Sequence, residues 1–451
     1  MPRFDVVILG GGAGAEAVCG AGLGGRTVAV VEELRFGGGC PFVACMPSKA
    51  MLHSAAERVG GVATRPAFAP ADYRSAADRR DRVVEHRDDS QHLSELQGQG
   101  VETIRGRGKV VAPGVVEVNG DRLEATDLVI ATGSEPTLPP IQGLADVDYW
   151  LSDRVLTTAD LPESALVLGG GPVGAELAQI LARYGCETSL IEVAPRLLGE
   201  EEPELGRALA ATLGGDGVEV LVGQRVVRAS SPGGLRVRLD LEDGSQREAQ
   251  ILVVATGRRP RIADLGLELY QLPGDARALS CDRQGRALGQ AHLFGVGDVT
   301  GVAPFTHTAN YQGRVVAANL RGESVLADYR AIPRAIYTDP PLAAVGLTRT
   351  RAAASGISVA SASFPLAETA RALAEDVGRG EVVIVTDAAK GVLVGAAAAG
   401  PGADESIGWA ALAIRTETPL SVLLDTVAPF PTYAEAYLAA LRSLAPGSAR
   451  S

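Results

Sequence analysis

The chain has 451 residues, 46% of them hydrophobic and 21% charged, with a formal net charge of −12. That length predicts about three domains, and the acidic balance excludes a nucleic-acid backbone as the expected partner, since such binding needs clustered positive charge. No stretch approaches the roughly 18 uninterrupted apolar residues of a membrane span, so neither membrane nor nucleic acid is expected as a partner. The N-terminus, MPRFDVVILGGG, runs straight into a strand pattern without the plan of a signal peptide, so a cytoplasmic protein is expected. Aromatic residues make up only 4%, so the cores must rest on Ala, Val, Leu and Ile.

Residues 4–33 read as strand, glycine turn, small-residue helix, strand and acidic end. The turn Gly10-Gly11-Gly12-Ala13-Gly14-Ala15 fits the pattern Gly-x-Gly-x-x-Ala of a dinucleotide site. Gly10 permits the tight turn, Gly12 lets backbone approach a pyrophosphate held at the helix N-terminus, and Ala15 allows close helix–strand packing. Glu32 follows Gly12 by 20 residues, where a carboxylate can accept bonds from ribose hydroxyls.

The next run, GGGCPFVACMPSKAML (37–52), holds Cys40 and Cys45. A close cysteine pair in a reducing compartment points to catalysis or metal binding before a structural staple. No second ligand pair completes a zinc site, so no metal is expected. Pro47 and Ser48 are good helix-start residues, which puts Cys45 at or just before a helix N-terminus. The helix dipole there favours the thiolate, and Lys49 adds positive charge one turn on. Cys19, Cys186 and Cys281 lie alone and are expected to pack as small apolar residues.

Residues 72–98 are polar and predicted helical, and the cluster Arg79, Arg80 and Arg82 within them reads as a solvated helix face. A proline-rich connector, PTLPPIQG (136–143), marks a boundary. Residues 164–193 then repeat the plan of 4–33, with the turn Gly169-Gly170-Gly171-Pro172-Val173-Gly174 and an acidic end at Glu192. Glu192 suits a ribose diol and would repel a 2′-phosphate, so NADH is expected in preference to NADPH, with nearby Arg196 as the contrary signal. A second echo reinforces the duplication: DLVIATGSEP (127–136) follows the first unit and ILVVATGRRP (251–260) the second. From about 331, short β-branched runs alternate with Ala-rich helices, which reads as a compact α+β domain. The last residues, APGSARS, read as frayed.

In combination these residues resemble the pyridine nucleotide–disulfide oxidoreductases, such as dihydrolipoamide dehydrogenase, glutathione reductase and mercuric reductase, over almost the whole chain. Cys40-x4-Cys45 followed by Met46-Pro47-Ser48-Lys49 looks like the family's redox disulfide, and Gly297-Asp298 in FGVGDVTG (294–301) like its second FAD motif. THTANYQGR (306–314) is similar to the segment that packs on the flavin, and Glu176 matches the glutamate that pairs with the active-site lysine, here Lys49. AIPRAIYTDPPLAAVGLT (331–348) and AGPGADE (399–405) look like the dimerisation domain.

The resemblance implies an α/β fold like that of glutathione reductase. Two Rossmann-like domains, for FAD and NAD, precede a C-terminal α+β dimerisation domain. The boundaries are then 1–148 and 271–330 for FAD, 149–270 for NAD(P)H and 331–451 for dimerisation. The implied cofactor contacts are Gly10, Gly12, Gly14, Ala15, Glu32, Lys49, Ala131, Thr132, Gly133, Gly297, Asp298, Thr306, His307 and Ala309 on the FAD side. Gly169, Gly171, Gly174, Glu192 and Gly257 serve the nicotinamide side. NADH would deliver a hydride to one flavin face and the reduced flavin would open the disulfide on the other, with Cys45 the charge-transfer thiol and Cys40 the interchange thiol. A homodimer is implied, each C-terminal domain completing its partner's site.

One departure stands out. Where disulfide-exchanging members carry His-Pro-Thr-x-x-Glu, this chain has Phe430 in the histidine's place, with Pro431, Thr432 and Glu435 in register. All five histidines, His53, His86, His92, His292 and His307, precede the C-terminal domain. Glu435 is kept as a candidate base, while His53 is read as a surface helix residue and His307 as structural. Two functions follow: a dihydrolipoamide dehydrogenase-like enzyme acting on a small thiol or disulfide, or a diaphorase-type reductase of a quinone, metal ion or other acceptor. A flavin-binding partner or redox-sensing protein is a third.

Overall fold

The computed structural model describes residues 1–60, 70–234, 236–272 and 276–444; the expectation of a frayed end at 445–451 lies outside them. The chain forms two compact units. The first comprises Met1–Pro47, Arg79–Thr137 and Gly257–Asp328, and the second Ser48–Asp78, Leu138–Thr256 and Tyr329–Ser451.

The first unit is built on a seven-stranded sheet. Its strands are β1 (Arg3–Leu9), β2 (Val28–Glu32), β3 (Glu102–Arg105), β4 (Lys109–Ala112), β5 (Val115–Val118), β6 (Asp121–Ile130) and the strand Leu293–Gly295. The order is β3-β2-β1-β6-β5-β4, with Leu293–Gly295 also on β6. The pairs around β1 are parallel, which demands covered faces. Alternation along β1 supplies both: Val6 and Ile8 enter one apolar cluster, Val7 and Leu9 the other. On one side lie helix α1 (Ala13–Gly20) and the helix Thr306–Leu320, packed closely because a Cβ on Gly313 would come 2.6 Å from that of Ala17.

The redox segment forms two helices, α2 (Gly39–Val43) and α3 (Cys45–Gly60). The stretch expected as helical divides into α4 (Pro70–Val83) and α5 (Ser90–Gly98), because Glu85, His86 and Arg87 adopt positive φ between them. Arg80 corrects the expectation of a solvated basic face: it is 0% exposed, with Nε bonded to Asp81 Oδ1 at 2.9 Å. Arg82 is exposed and Arg79 half-buried, so the interleaved acids serve a buried cation as well as a wet surface.

The second unit carries a five-stranded parallel sheet. It is made of β7 (Tyr149–Trp150), β8 (Ser164–Leu168), β9 (Glu187–Glu192), β10 (Glu219–Val222) and β11 (Ile251–Val254). The order is β10-β9-β8-β11-β7. Helix α6 (Pro172–Arg183) follows β8, and a three-stranded sheet from 226–249 packs with strands β8, β9 and β11 in one apolar cluster. Its C-terminal part is the α+β arrangement expected from the sequence. β12 (Pro333–Ile336), β13 (Leu342–Gly346), β14 (Val359–Pro365), β15 (Glu381–Asp387) and β16 (Val392–Ala399) form an antiparallel sheet in the order β12-β13-β16-β15-β14. Helices α7 (Ala403–Arg415) and α8 (Glu435–Ser443) share its core. None of the helices among the described residues is long and apolar enough to cross a membrane.

Candidate active site

In the first unit the strand β1 ends on Gly10, at φ +99°, whose N–H donates to Val31 O at 2.8 Å. A Cβ here would come 2.4 Å from Ala131 O, so only glycine fits the turn. This gives the Ala-Thr-Gly echo a physical basis: the first alanine's carbonyl floors the turn. Gly12 is the N-cap of α1 and offers no side-chain cap, leaving first-turn N–H groups for an anion. Glu32 accepts the N–H groups of Gly11 at 2.7 Å and Leu34 at 2.6 Å. Oε1 also accepts Arg35 N–H at 3.2 Å; the carboxylate is thereby fixed beside the turn, and three bonds to its roughly four lone-pair sites leave one for a ribose hydroxyl. Gly14 faces Val296, with a Cβ coming 2.7 Å from Cγ1, and Ala15 is fully buried.

Asp298 is half-buried in the turn Gly297–Thr300 and accepts a bond from Ser134 Oγ, which in turn accepts from Arg258 Nε at 2.8 Å. Thr132 Oγ1 donates to Arg261 O at 2.6 Å, and Gly133 O accepts from Arg261 N–H at 2.9 Å. The tails of the two echo segments pair with each other, Ser134–Pro136 against Arg258–Pro260, and Gly257 O accepts from Thr137 N–H at 2.9 Å. Ala309 is buried, with its Cβ 3.3 Å from where one on Gly297 would lie, and His307 stacks on Phe305.

The cysteine pair hangs on the first turn. Gly37 N–H donates to Gly11 O at 2.8 Å, and a Cβ on Gly38 would come 2.8 Å from Gly12 Cα. Cys40 then falls in α2, and Cys45 opens α3. Thr306, first residue of its helix, touches both sulfurs: its Oγ1 donates to Cys40 Sγ at 3.1 Å and lies 3.7 Å from Cys45 Sγ. Both cysteines are half-buried. Burial instead pushes the thiols of Cys19, Cys186 and Cys281 up to about 12, out of thiolate chemistry.

The second unit repeats the dinucleotide geometry. Gly169 has φ +114°, donates to Ile191 O at 2.9 Å and would place a Cβ 2.4 Å from Ala255 O. Gly171 caps α6 without a side-chain bond, and a Cβ on it would meet nothing within 4 Å. Gly174 is required because its Cβ would come 1.9 Å from Gly169 O. Glu192 accepts Gly170 N–H at 2.6 Å and Ala194 N–H at 2.7 Å. Arg196 donates to three carbonyls, Leu198 O at 2.8 Å, Gly199 O at 2.6 Å and Glu201 O at 2.8 Å.

Lys49 Nζ meets Glu176 at 2.8 and 3.1 Å, and Glu176 is buried. Sequence reasoning missed Tyr337, whose ring lies under Lys49 and whose N–H bonds Glu176. In the C-terminal part Phe430 is 76% exposed. Glu435, the first residue of α8, accepts Thr432 N–H at 3.0 Å, a bond within its own turn of chain. His53 is exposed and pairs with Glu57 one turn on. Among the described residues no cluster of His, Cys, Asp or Glu could hold a metal ion.

Two phosphate turns, each with a fixed carboxylate, and two sulfurs on one hydroxyl describe an oxidoreductase that couples dinucleotides to thiol chemistry. Comparison with known proteins agrees. The family described as Pyridine nucleotide-disulphide oxidoreductase matches residues 4–313, and its dimerisation domain matches residues 332–441. The chain belongs to this family, which implies FAD and a pyridine nucleotide as cofactors. It is 35% identical to a dihydrolipoyl dehydrogenase of Thermus scotoductus, over 98% of each chain. It is 30% identical to a mercuric reductase of Staphylococcus aureus, over 96% of this chain and 81% of that one. Among solved structures, the Cu(II) complex of the HOCl-induced flavoprotein disulfide reductase RclA from Escherichia coli superposes with a TM-score of 0.87, at 24% identity, over 99% of this chain and all of that one. LpdA from Mycobacterium tuberculosis gives 0.85, also at 24% identity, over 99% of this chain and 100% of that one. At that identity these two likenesses carry the glutathione-reductase-like fold alone.

Proposed function

We propose that the chain is an NADH-dependent flavoenzyme that uses Cys40 and Cys45 to reduce a small disulfide or, in reverse, to oxidise a small dithiol. One observation carries this reading: a single hydroxyl, Thr306 Oγ1, contacts both sulfurs beside the first dinucleotide turn. Residues 1–148 and 271–330 would hold FAD, with Glu32 on its ribose and Asp298 on its ribityl chain. Residues 149–270 would hold NADH, and 331–451 would join two copies into a cytoplasmic homodimer. FAD supplies the two-electron carrier between nicotinamide and sulfur. The turns at Gly12 and Gly171 fit a pyrophosphate, since the helix N-termini are open backbone.

NADH rather than NADPH is supported by Glu192 and by Arg196, whose guanidinium already serves three backbone carbonyls. Lys49, paired with Glu176, would hold a fixed positive charge at the flavin. The net reaction takes NADH, a proton and a disulfide to NAD⁺ and two thiols.

Phe430 favours a second reading, an acceptor reductase that passes electrons to a quinone, a metal ion or another acceptor without Cys40. An exposed phenyl ring cannot move protons on and off sulfur, a service worth about 10²–10⁴ in rate. Steady-state turnover with NADH against disulfides, quinones and metal ions separates the two. The first reading expects disulfide turnover that Cys40→Ser abolishes. The second expects acceptor turnover indifferent to Cys40→Ser, and slow lipoamide turnover that Phe430→His raises at equal FAD content. Wild-type lipoamide turnover of tens per second or more, on the order of ordinary enzyme rates, removes the second reading.

A further inference from the structure

We propose that Tyr337 is a positioning residue for Lys49: its ring and its backbone N–H together hold the lysine's ammonium on Glu176. The proposal rests on the role given above to Lys49. Glu176, Gln179 and Arg183 stand at i, i+3 and i+7 on α6, so they share one face. All three are buried, and all three grip one short segment. Tyr337 N–H donates to Glu176 Oε1 at 3.0 Å, and Asp339 N–H to Gln179 Oε1 at 2.8 Å. Gln179 Nε2 and Arg183 Nη2 return bonds to Asp339 O at 2.9 and 2.8 Å, while Arg183 Nη1 reaches Asp339 Oδ2 at 2.7 Å. Asp216 closes the set, accepting from Gln179 at 2.7 Å and Arg183 Nε at 2.9 Å.

Such an anchor is more than a surface segment needs, since Tyr337 itself is 42% exposed. What it fixes is the ring, whose centroid lies 4.6 Å from Lys49 Nζ. The ammonium is thus bounded by a carboxylate and by the negative face of an aromatic ring, an attraction without a competing hydrogen-bond acceptor. The N–H of the same residue holds Glu176 Oε1, so the carboxylate is pinned where it meets Lys49 at 2.8 and 3.1 Å. An aliphatic side chain at 337 would keep the backbone bond and lose the ring.

The chain contains three lysines, Lys49, Lys109 and Lys390, so an amine-acetylating ester followed by mass spectrometry reads Lys49 directly, with the other two as internal references. In the holoenzyme, Tyr337→Leu should raise Lys49 acetylation relative to both references by about two- to fivefold, the span of an exposed cation–π contact. Flavin reduction at saturating NADH should slow by a similar factor with little change in the NADH concentration for half-maximal rate. Tyr337→Phe should behave as wild type in both measurements. Unchanged acetylation in Tyr337→Leu overturns the proposal, as does a Tyr337→Phe variant that behaves like Tyr337→Leu. So does a Tyr337→Leu effect on flavin reduction that persists in full in a Lys49→Ala background. If Lys49→Ala reduces flavin at the wild-type rate while the acetylation difference stands, the role of Lys49 fails and the ring's hold on it does not.

Discussion

The two glycine turns of this chain are alike where they would face phosphate and unlike in what surrounds them. At both, the first glycine is forced by a carbonyl 2.4 Å from a would-be Cβ, Ala131 O under Gly10 and Ala255 O under Gly169. At both, the distal carboxylate is tied to the turn's second glycine, Glu32 to Gly11 and Glu192 to Gly170. The first turn, however, is covered: Gly37 and Gly38 lie on it and lead into Cys40. The second turn is met likewise at its middle glycine, where Leu198 N–H donates to Gly170 O at 3.1 Å, but it is bare at Gly171, where a Cβ would find nothing within 4 Å. A covered turn suits a resident cofactor, and the cover carries the cysteine segment. An open turn suits a cofactor that must arrive and leave at every cycle. The turn geometry occurs twice in the chain, and the loop after the second strand is what differs between the copies.

Breaking one turn at a time should separate those tasks, and this is the largest effect expected. An alanine at either first glycine meets backbone oxygen at positive φ, a strain of about 1–3 kcal/mol before any clash is counted. Gly10→Ala should weaken FAD binding about a hundredfold or more and yield colourless protein. Gly169→Ala should stay yellow yet lose flavin reduction by NADH. Absorbance spectra and anaerobic NADH titration check both; a colourless Gly169→Ala would mean that the turns are not independent.

A smaller effect sharpens the comparison on the second copy. Glu192 is expected to accept bonds from the nicotinamide cofactor's ribose, and charged hydrogen bonds are worth about 1.5–3 kcal/mol. Glu192→Ala should therefore cut the preference for NADH over NADPH by about ten- to a hundredfold, read as the ratio of kcat/KM values. The same change at Glu32 should alter FAD retention and leave that ratio alone. A wild-type preference for NADPH would refute the assignment of Glu192.

Much of this was legible in the sequence because it is periodic and local. The turns, their carboxylates and the Ala-Thr-Gly echo repeat at fixed spacing, and the lysine–glutamate pair came with the family's pattern. The structure adds contacts that no spacing encodes. Thr306 reaches Cys40 across 266 positions of chain, and Tyr337 reaches Glu176 across 161. Arg80 looked like a member of a wet basic cluster because composition cannot tell which face of α4 turns inward, and tertiary packing put it at 0% exposure. The break between α4 and α5 was equally hidden, since Glu85, His86 and Arg87 carry no glycine or proline to announce positive φ.

The smallest predicted effect concerns a difference between the two helices that leave these turns. The first turn of α1 carries Glu16, whereas the first turn of α6 carries no acidic residue. An acid there is ordinarily favoured by the helix dipole, but burial raises the pKa of Glu16 above its ordinary 4.5, with His92 opposing from 2.6 Å. The folded state therefore holds the proton more tightly than the unfolded chain does. The carboxylate costs stability as pH rises through the interval above 4.5. Below that interval both states are protonated and the cost vanishes. Glu16→Gln keeps an acceptor for His92 and removes the buried charge. The variant should melt above wild type at neutral pH. The gain should shrink as the pH is lowered toward the ordinary carboxylate range. Paired thermal melts at neutral and mildly acidic pH, at equal FAD content, measure it. A variant that melts below wild type at neutral pH would show that the bond to His92 outweighs burial, and that the acid stabilises the covered turn instead of straining it.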